Sequence, residues 1–239
     1  MLLLTIALYA QFELNPTELY NRGNEYYERG EYSEAIVAYE QVTMKISNSQ
    51  VLYNLGNAYF KKSMLGKAIL NYRRAHFLAP RDGDIMYNLG YVRNYRVDKM
   101  SPVASPLIQV LSKALHYFSM VEARILATIF LVIASVILSF YIVYRRSIFG
   151  YVAIIGAVFF LFFFINWQTW VAERNGRHAV ISAPEVSALS GPGEDYKEII
   201  VVHDGAEVKV RETRGDYFLI QLPGGIGGWV PVDAVEEVF

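Results

Sequence analysis

LYNRGNEY at Leu19–Tyr26, LYNLGNAY at Leu52–Tyr59 and MYNLGYVR at Met86–Arg93 are three versions of one eight-residue stretch. Each carries a glycine at its fifth position, and these glycines lie 33 and then 34 residues apart, at Gly23, Gly56 and Gly90. Self-similarity with a period near 34 predicts helical repeats, in which each pair of helices buries its apolar face against the next pair. The N-terminal part of the chain is therefore predicted to be a helical solenoid.

Residues downstream of each stretch keep the same period. Ala35 and Ala68 are 33 residues apart, as are Tyr39 and Tyr72, and Pro80 ends the second unit. This pattern resembles the tetratricopeptide (TPR) repeat. The resemblance implies that glycine on helix A and alanine on helix B let the two helices of a unit approach closely, while tyrosines fill the gaps between units.

The third unit is incomplete, because no helix B with a small alanine follows Gly90. We expect a TPR domain over residues 11–100, made of two repeats and a capping helix that runs from Asp84 to about Lys99. Residues 101–120 are predicted to form a linker and an amphipathic helix. This helix, over Ile108–Met120, has apolar residues at helical spacing and is expected to lie on a membrane surface.

The TPR resemblance implies a concave groove that binds peptides. The family's groove positions map onto Tyr20, Asn24, Tyr27, Tyr53, Asn57, Phe60, Tyr87, Tyr91 and Asn94. Asparagine can hold a peptide backbone through both its carbonyl and its amide N–H groups, and tyrosine adds rigid area with a polar tip. Chaperone-binding relatives clamp a terminal carboxylate with Lys or Arg, but Tyr20, Tyr87 and Tyr91 stand at those places. We therefore expect no carboxylate clamp; packing between helices is the alternative role at each position.

Two uncharged apolar blocks follow, Ile125–Tyr144 and Ile148–Trp170, separated only by Arg145, Arg146 and Ser147. Helices of these lengths cover the roughly 30 Å hydrocarbon core of a membrane, and neither block has the polar stripe of a soluble helix. The blocks predict two transmembrane helices, at residues 121–145 and 147–171. Trp167 and Trp170 are expected in an interfacial aromatic belt. A hairpin of this kind places both flanking regions on one side of the membrane.

Short runs rich in Val, Ile and Tyr follow Arg174, separated by Gly, Pro and Asp. Five strands are predicted, at residues 179–181, 186–189, 207–212, 217–221 and 228–230, which favour a small β-barrel. The segments RGDYF at Arg214–Phe218 and GGWV at Gly227–Val230 resemble the bacterial SH3 domain, over residues 178–239. The resemblance implies an aromatic groove for cell-wall or protein peptides, with Tyr217 and Trp229 as candidates. Core packing is the alternative role for Trp229.

Composition excludes several functions. The chain has no cysteine, so it has no disulfide, thiolate metal site or cysteine nucleophile. Its four histidines never occur at metal-ligand spacing, and no catalytic or phosphate-binding motif is present. We therefore expect no enzyme activity, catalytic residue, metal or cofactor.

Charge differs between the two ends of the chain. Residues 16–100 contain 12 Lys and Arg against 9 Asp and Glu, a net charge of +3. Residues 171–239 contain 6 against 12, a net charge of −6. Neither excess suggests nucleic acid as a partner. The opposite signs are compatible with contact between the two regions; the alternative is that these charges are simply solvated.

Orientation of the hairpin depends on weak signals. Met1–Ala10 resembles the apolar region of a secretory signal, although no basic residue precedes it; the alternative is a short helix packed on the first repeat. Arg145 and Arg146 favour a cytoplasmic turn, while arginines on the outer flanks oppose it. The signal-like start and the SH3 resemblance favour a periplasmic position for both flanking domains.

The order of these segments resembles the BatE-type proteins of the Bacteroides aerotolerance (Bat) group. The expected fold class is a multidomain α-then-β membrane protein, with a TPR α-solenoid, two transmembrane helices and a small SH3-like β-barrel. The resemblance implies a non-catalytic inner-membrane scaffold in envelope integrity or oxidative-stress tolerance. It implies von Willebrand A-domain Bat membrane proteins and, indirectly, a MoxR-type ATPase as partners. The alternatives are a cell-wall sensor that binds peptidoglycan peptides and a structural subunit that contacts its complex through the hairpin.

Overall fold

The computed structural model describes residues 15–99 and 105–239. Within these ranges the chain forms helices first, then two long apolar helices, and finally an antiparallel sheet. The predicted α-then-β architecture is confirmed. The signal-like segment predicted at residues 1–10 lies outside the described residues, as do residues 101–104 of the predicted linker.

Five helices form the repeat domain: α1 (Pro16–Glu28), α2 (Tyr32–Lys45), α3 (Ser49–Lys61), α4 (Leu65–Leu78) and α5 (Gly83–Arg93). Polar side chains satisfy the first backbone N–H groups of three of them. Asn15 and Glu18 form a capping box on α1, and Asn48 and Asp82 cap α3 and α5. The α1–α2 turn passes through Gly30, whose φ of +79° is a left-handed conformation that glycine adopts without strain.

The capping helix is shorter than predicted. The sequence predicts a helix to about Lys99, whereas α5 ends at Arg93. The chain turns there because the following residues bind the C-terminal sheet. Arg96 contacts Glu207 at 3.0 Å, and the Asp98 carboxylate accepts the backbone N–H of His203 at 2.7 Å.

Close helix packing occurs at two of the three repeated glycines. A Cβ on Gly23 would lie 2.5 Å from the Tyr39 ring, and one on Gly56 would lie 2.8 Å from the Tyr72 ring. A Cβ on Gly90 would meet no atom within 4 Å, because among the described residues no helix B packs against the third unit. The fully buried Ala35 and Ala68 sit in the same core.

A short helix, α6 (Pro106–Leu115), precedes the long helices. The amphipathic helix was predicted over Ile108–Met120, but Ser119 and Glu122 form a capping box that starts a new helix at Met120. Leu107, Ile108 and Leu111 on α6 are exposed. Their exposure fits the predicted contact with a membrane surface.

Two long helices follow, α7 (Met120–Tyr144) and α8 (Ser147–Asn175), and both are long and apolar enough to cross a membrane. They pack side by side, with the Cβ position of Gly156 3.2 Å from Ala134. The aromatic belt predicted at Trp170 is wrong. This residue is 1% exposed, and its indole N–H donates to the Phe118 carbonyl at 2.8 Å. It is buried because Phe77 of α4 and His116 cover its ring.

Seven strands form the C-terminal sheet: β1 (His178–Ile181), β2 (Glu185–Leu189), β3 (Glu198–His203), β4 (Glu207–Arg214), β5 (Tyr217–Gln221), β6 (Gly227–Pro231) and β7 (Val235–Glu237). Their order is β3-β2-β6-β5-β4-β1-β7, and all pairs are antiparallel. Val208 and Val210 of β4 and Phe218 and Ile220 of β5 occupy alternate positions, and all four side chains lie in the core.

The prediction of five strands missed β3 and β7. Both lie at edges of the sheet, where strands do not alternate regularly between core and solvent. β7 has only three residues and forms because it pairs with β1. Local sequence carries little information about such a strand, since a distant partner stabilises it.

Candidate peptide-binding groove

The first helix of each unit, α1, α3 and α5, contributes to a concave surface. One cavity of about 260 Å³ is lined by Asn24, Tyr27, Glu28, Tyr39, Asn54 and Asn57. A second cavity of about 410 Å³ is lined by Tyr27, Tyr53, Asn57, Phe60, Lys61, Tyr72, Tyr87, Asn88, Tyr91 and Val92. Tyr27 and Asn57 line both cavities. We therefore treat them as one groove.

A hydrogen-bond network connects the first repeat to the second on the groove floor. The Tyr39 hydroxyl donates to Asn24 Oδ1 at 2.7 Å. Asn54 Nδ2 donates to the same oxygen at 3.1 Å and to the Tyr20 hydroxyl at 3.1 Å. Asn24 Oδ1 thus accepts two hydrogen bonds from within the domain.

The same network recurs one repeat later. The Tyr72 hydroxyl donates to Asn57 Oδ1 at 2.6 Å. Asn88 Nδ2 donates to that oxygen at 2.9 Å and to the Tyr53 hydroxyl at 3.0 Å. The repeated sequence therefore produces a repeated polar floor, with one asparagine carbonyl per unit fixed by two donors.

These networks decide what the groove offers to a ligand. Burial raises the pKa of Tyr39 and Tyr72, so both hydroxyls stay protonated and donate. The Oδ1 atoms of Asn24 and Asn57 already accept two hydrogen bonds each. Their Nδ2 groups have no partner among the described residues and remain available as donors. The sequence predicts that both ends of each amide bind a peptide. The structure corrects this, since only the N–H donors remain available.

Aromatic rings line the open end of the groove. Tyr87 and Tyr91 stack with a centroid distance of 6.2 Å and an interplanar angle of 12°. Phe60 meets the Tyr91 ring edge-on at 5.8 Å, and the Tyr91 and Tyr95 hydroxyls are 2.6 Å apart. Tyr87 is 71% exposed and Tyr91 42%. We call Phe60, Tyr87, Tyr91 and Tyr95 the tyrosine strip.

Most of the residues predicted for the groove are brought together. Those that line it are Asn24, Tyr27, Tyr53, Asn57, Phe60, Tyr87 and Tyr91. Tyr20 lies beneath the groove as a hydrogen-bond acceptor for Asn54. Asn94 is exposed at the C-terminal end of α5 and does not line either cavity.

Asn54 and Asn88 were missed by the sequence-based mapping. Their signal was present, because both occupy the third position of the repeated stretch and lie 34 residues apart. One charged residue lines each cavity, Glu28 the first and Lys61 the second.

The C-terminal sheet contacts α4, the helix that carries Tyr72 of the groove. Asp204, in the turn between β3 and β4, accepts the backbone N–H groups of Leu65 and Gly66, each at 2.8 Å. The residue that precedes α4, Met64, provides no side-chain cap. A carboxylate from the sheet therefore caps this helix, where its dipole favours a negative charge.

A cluster of charges fixes the same interface. Glu207 on β4 accepts two hydrogen bonds from Arg93, both at 2.7 Å, and one from Arg96 at 3.0 Å. Arg73 of α4 lies 3.5 Å from the same carboxylate. Basic side chains of the repeat region therefore contact an acidic side chain of the sheet directly at this point.

The base of α8 also joins this assembly. Arg73 binds Glu173 at 3.2 Å, and His116 lies 3.4 Å from the same carboxylate. The hydrogen bond to Glu173 raises the pKa of His116. Arg81 and Glu122 form a second contact, at 2.6 Å, between the repeat domain and α7. The repeat domain, the sheet and the base of the hairpin are therefore connected by polar contacts.

The aromatic pair predicted for an SH3 groove is mostly covered. Trp229 is 8% exposed, and the Arg214 guanidinium carbon lies 5.2 Å from its ring centroid. Tyr217 is partly buried and pairs with Pro231 across β5 and β6. Among the residues that the structure describes, no group of three His, Asp or Glu is placed to hold a metal ion.

Comparison with known proteins bears on the repeat domain. A family model described as a TPR repeat matches residues 23–63. These residues contain a TPR repeat. The match covers the end of α1 and the whole of α2 and α3, and so includes Asn24 and Asn57 of the groove. No curated protein matches the sequence.

One similar solved structure is titled "TPR2AB-domain:pHSP90-complex of yeast Sti1". It has 18% sequence identity and a TM-score of 0.32, over 68% of this chain and 59% of that chain. The chain therefore spans less than two thirds of the length of that protein.

Proposed function

We propose that this protein is a non-catalytic, membrane-anchored scaffold that holds an extended segment of a partner protein in the groove of its repeat domain. The observation that carries this proposal is the pair of amide groups on Asn24 and Asn57. Each amide oxygen accepts hydrogen bonds from one tyrosine and one asparagine, which fix the amide, and each amide keeps its N–H donors for a ligand. Backbone carbonyls of an extended peptide are the acceptors that fit such donors.

Anchoring is the second part of the proposal. The two helices α7 and α8 are long and apolar enough to cross a membrane, and their base is tied to the repeat domain through Arg73 and Arg81. A ligand in the groove would therefore be held at the membrane surface. The order of segments supports a Bat-type scaffold in the bacterial inner membrane, with von Willebrand A-domain membrane proteins as direct partners and a MoxR-type ATPase as an indirect one.

Asn57→Asp tests the groove. Aspartate keeps an oxygen that accepts from Tyr72 and Asn88, but it replaces the N–H donors by a second acceptor. We expect peptides selected from a random twelve-residue display library on the full chain, reconstituted in nanodiscs, to bind the variant about tenfold more weakly. Isothermal titration of the selected peptides measures this, and the thermal unfolding midpoint should stay close to that of the wild type.

Asn21→Asp is the matched control, because Asn21 lies on α1, is exposed and lines neither cavity. It introduces the same charge outside the groove and should leave the affinity unchanged. If the selected peptides bind Asn57→Asp as tightly as the wild type, the groove is not the binding site. If the library yields no binder at all, the peptide-binding function itself is contradicted.

We also propose that the repeat domain and the C-terminal sheet both lie on the periplasmic side of the membrane. Single cysteines test this topology, since the sequence contains none. Met44→Cys lies on the repeat domain and Ile226→Cys on the β5–β6 turn, both at exposed positions, while Ser147→Cys lies at the hairpin turn. In spheroplasts we expect a membrane-impermeant maleimide to label the first two and to reach the third only after permeabilisation. The reverse pattern would place both domains in the cytoplasm, and labelling of all three would contradict a membrane-spanning hairpin.

A further inference from the structure

We infer that the segment held in the groove is a neutral, proline-containing stretch in the polyproline II conformation; this rests on the proposed peptide-binding function and specifies its ligand. Three independent features of the groove point to it. They are the spacing of its amide donors, the occupied oxygens of Asn24 and Asn57, and the exposed rings at its open end.

The spacing of the donors favours a ligand with a three-residue repeat. Asn24 and Asn57 occupy equivalent positions on α1 and α3, which are adjacent because Asn54 of α3 bonds directly to Asn24. Neighbouring helices pack about 8–10 Å apart. A polyproline II helix presents the same side every three residues, or about 9.3 Å. In a β-strand the residue three positions further on lies about 10 Å away and faces the opposite side, so it would point away from the second donor.

The hydrogen-bond inventory of the floor favours a ligand with few N–H groups. The oxygens of Asn24 and Asn57 already accept two bonds each. An ordinary extended segment would bring backbone N–H groups that these amides cannot accept, at a cost in desolvation. Proline has a carbonyl and no N–H, so its backbone matches the two asparagine amides, which only donate.

The tyrosine strip supplies surfaces for the proline rings. In the third unit, Tyr91 replaces the asparagine found at Asn24 and Asn57, so the groove changes from amide donors to aromatic faces. Tyr87 and Tyr91 are stacked, exposed and parallel to within 12°. Flat aromatic faces with hydroxyl donors at their edges are the surfaces that proline-rich segments use in other recognition domains.

Charge argues for a neutral segment rather than a terminal carboxylate. No Lys or Arg lines the first cavity, and Lys61 alone lines the second. Glu28 lies in the first cavity and would repel an acidic ligand there. A peptide with an acetylated N-terminus, an amidated C-terminus and no charged side chains needs no basic partner and is not repelled by Glu28.

The test uses the full chain in nanodiscs and the blocked peptide Ac-(Pro-Pro-Ala)₄-NH₂, with Ac-(Ala-Gln-Ala)₄-NH₂ as the comparison. We expect the proline peptide to bind and the comparison peptide to bind at least about tenfold more weakly. The double substitution Tyr87→Ala and Tyr91→Ala should weaken proline-peptide binding by about tenfold, because two stacking surfaces are lost. Tyr87→Phe should retain most of the binding.

Met86→Ala is the control for the tyrosine substitutions, since Met86 is exposed on the same helix and lines neither cavity. Unaltered binding of the proline peptide by the double variant would overturn the inference. So would library peptides that lack proline, depend on Asn57 and outcompete the proline peptide. That second result leaves the proposed function intact, whereas the absence of any Asn57-dependent peptide contradicts both.

Discussion

Gly66→Ala should detach the C-terminal sheet from the repeat domain. A Cβ on Gly66 would lie 2.1 Å from the backbone oxygen of Ile181 and 2.5 Å from the Asp204 carboxylate. The first of these is a backbone atom in β1, which cannot rotate away as a flexible side chain would. The methyl group therefore pushes β1 off α4 and disturbs the hydrogen bonds by which Asp204 caps that helix.

We expect Gly66→Ala to lower the free energy of unfolding by about 3 kcal/mol, the upper range for overpacking a well-packed site. Amide hydrogen exchange should speed up at Leu65 and at residue 66, because these N–H groups lose their acceptor. Gly90→Ala is the control, since its Cβ meets nothing within 4 Å and alanine favours a helix by about 0.5–1 kcal/mol. Equal stability of the two variants would show that the sheet does not dock on α4 in this way.

The sequence predicted those features that depend on local or periodic patterns. Gly23 and Gly56 made the repeat recognisable, because each packs so closely against a tyrosine ring that no side chain fits there. The apolar helices α7 and α8 were predicted because a continuous run of apolar residues is a local signal. Seven of the nine predicted groove positions line the groove, since a 34-residue period carries a position from one unit to the next.

Features that depend on distant partners were not predicted. Asp204 caps a helix that begins 139 positions earlier in the chain, so nothing near it in sequence marks it as a capping residue. Trp170 has the sequence position of an interfacial tryptophan, but contacts with Phe77 of α4 and with His116 bury it. The sequence also did not show that the groove asparagines offer donors rather than acceptors. Tyr72 and Asn88 both donate to the Asn57 oxygen, and this leaves its N–H groups available.

Glu207→Gln should have the largest effect on the junction of the three segments. The Glu207 side chain is 17% exposed and forms ion pairs with Arg93, Arg96 and Arg73. Removing its charge leaves the guanidinium groups of Arg93 and Arg96 without this carboxylate, and Arg73 keeps only Glu173 among the described residues. Breaking a buried ion pair on one side costs about 3–5 kcal/mol, and we expect a loss of stability of this size in thermal or denaturant unfolding.

The effect should depend on pH. Burial by itself raises the pKa of Glu207, but Arg93, Arg73 and Arg96 outweigh it and hold the pKa below the ordinary value. An unfolded glutamate has a pKa of about 4.3, so the stabilisation is complete above that pH and is lost as the pH falls through the lower folded value. The difference in unfolding free energy between wild type and Glu207→Gln should therefore be constant near neutral pH and shrink below about pH 4.

Glu212→Gln on the same strand separates this effect from a general loss of charge. Within the described part of the chain Glu212 pairs only with Arg214, and both side chains are exposed, so its removal should cost less than about 1 kcal/mol. A Glu207→Gln variant as stable as Glu212→Gln at neutral pH would contradict the role of the arginine cluster. A large loss at Glu207 alone would instead mean that α4 is held rigidly between groove and sheet, because Arg73 directly follows Tyr72, whose hydroxyl fixes the Asn57 amide.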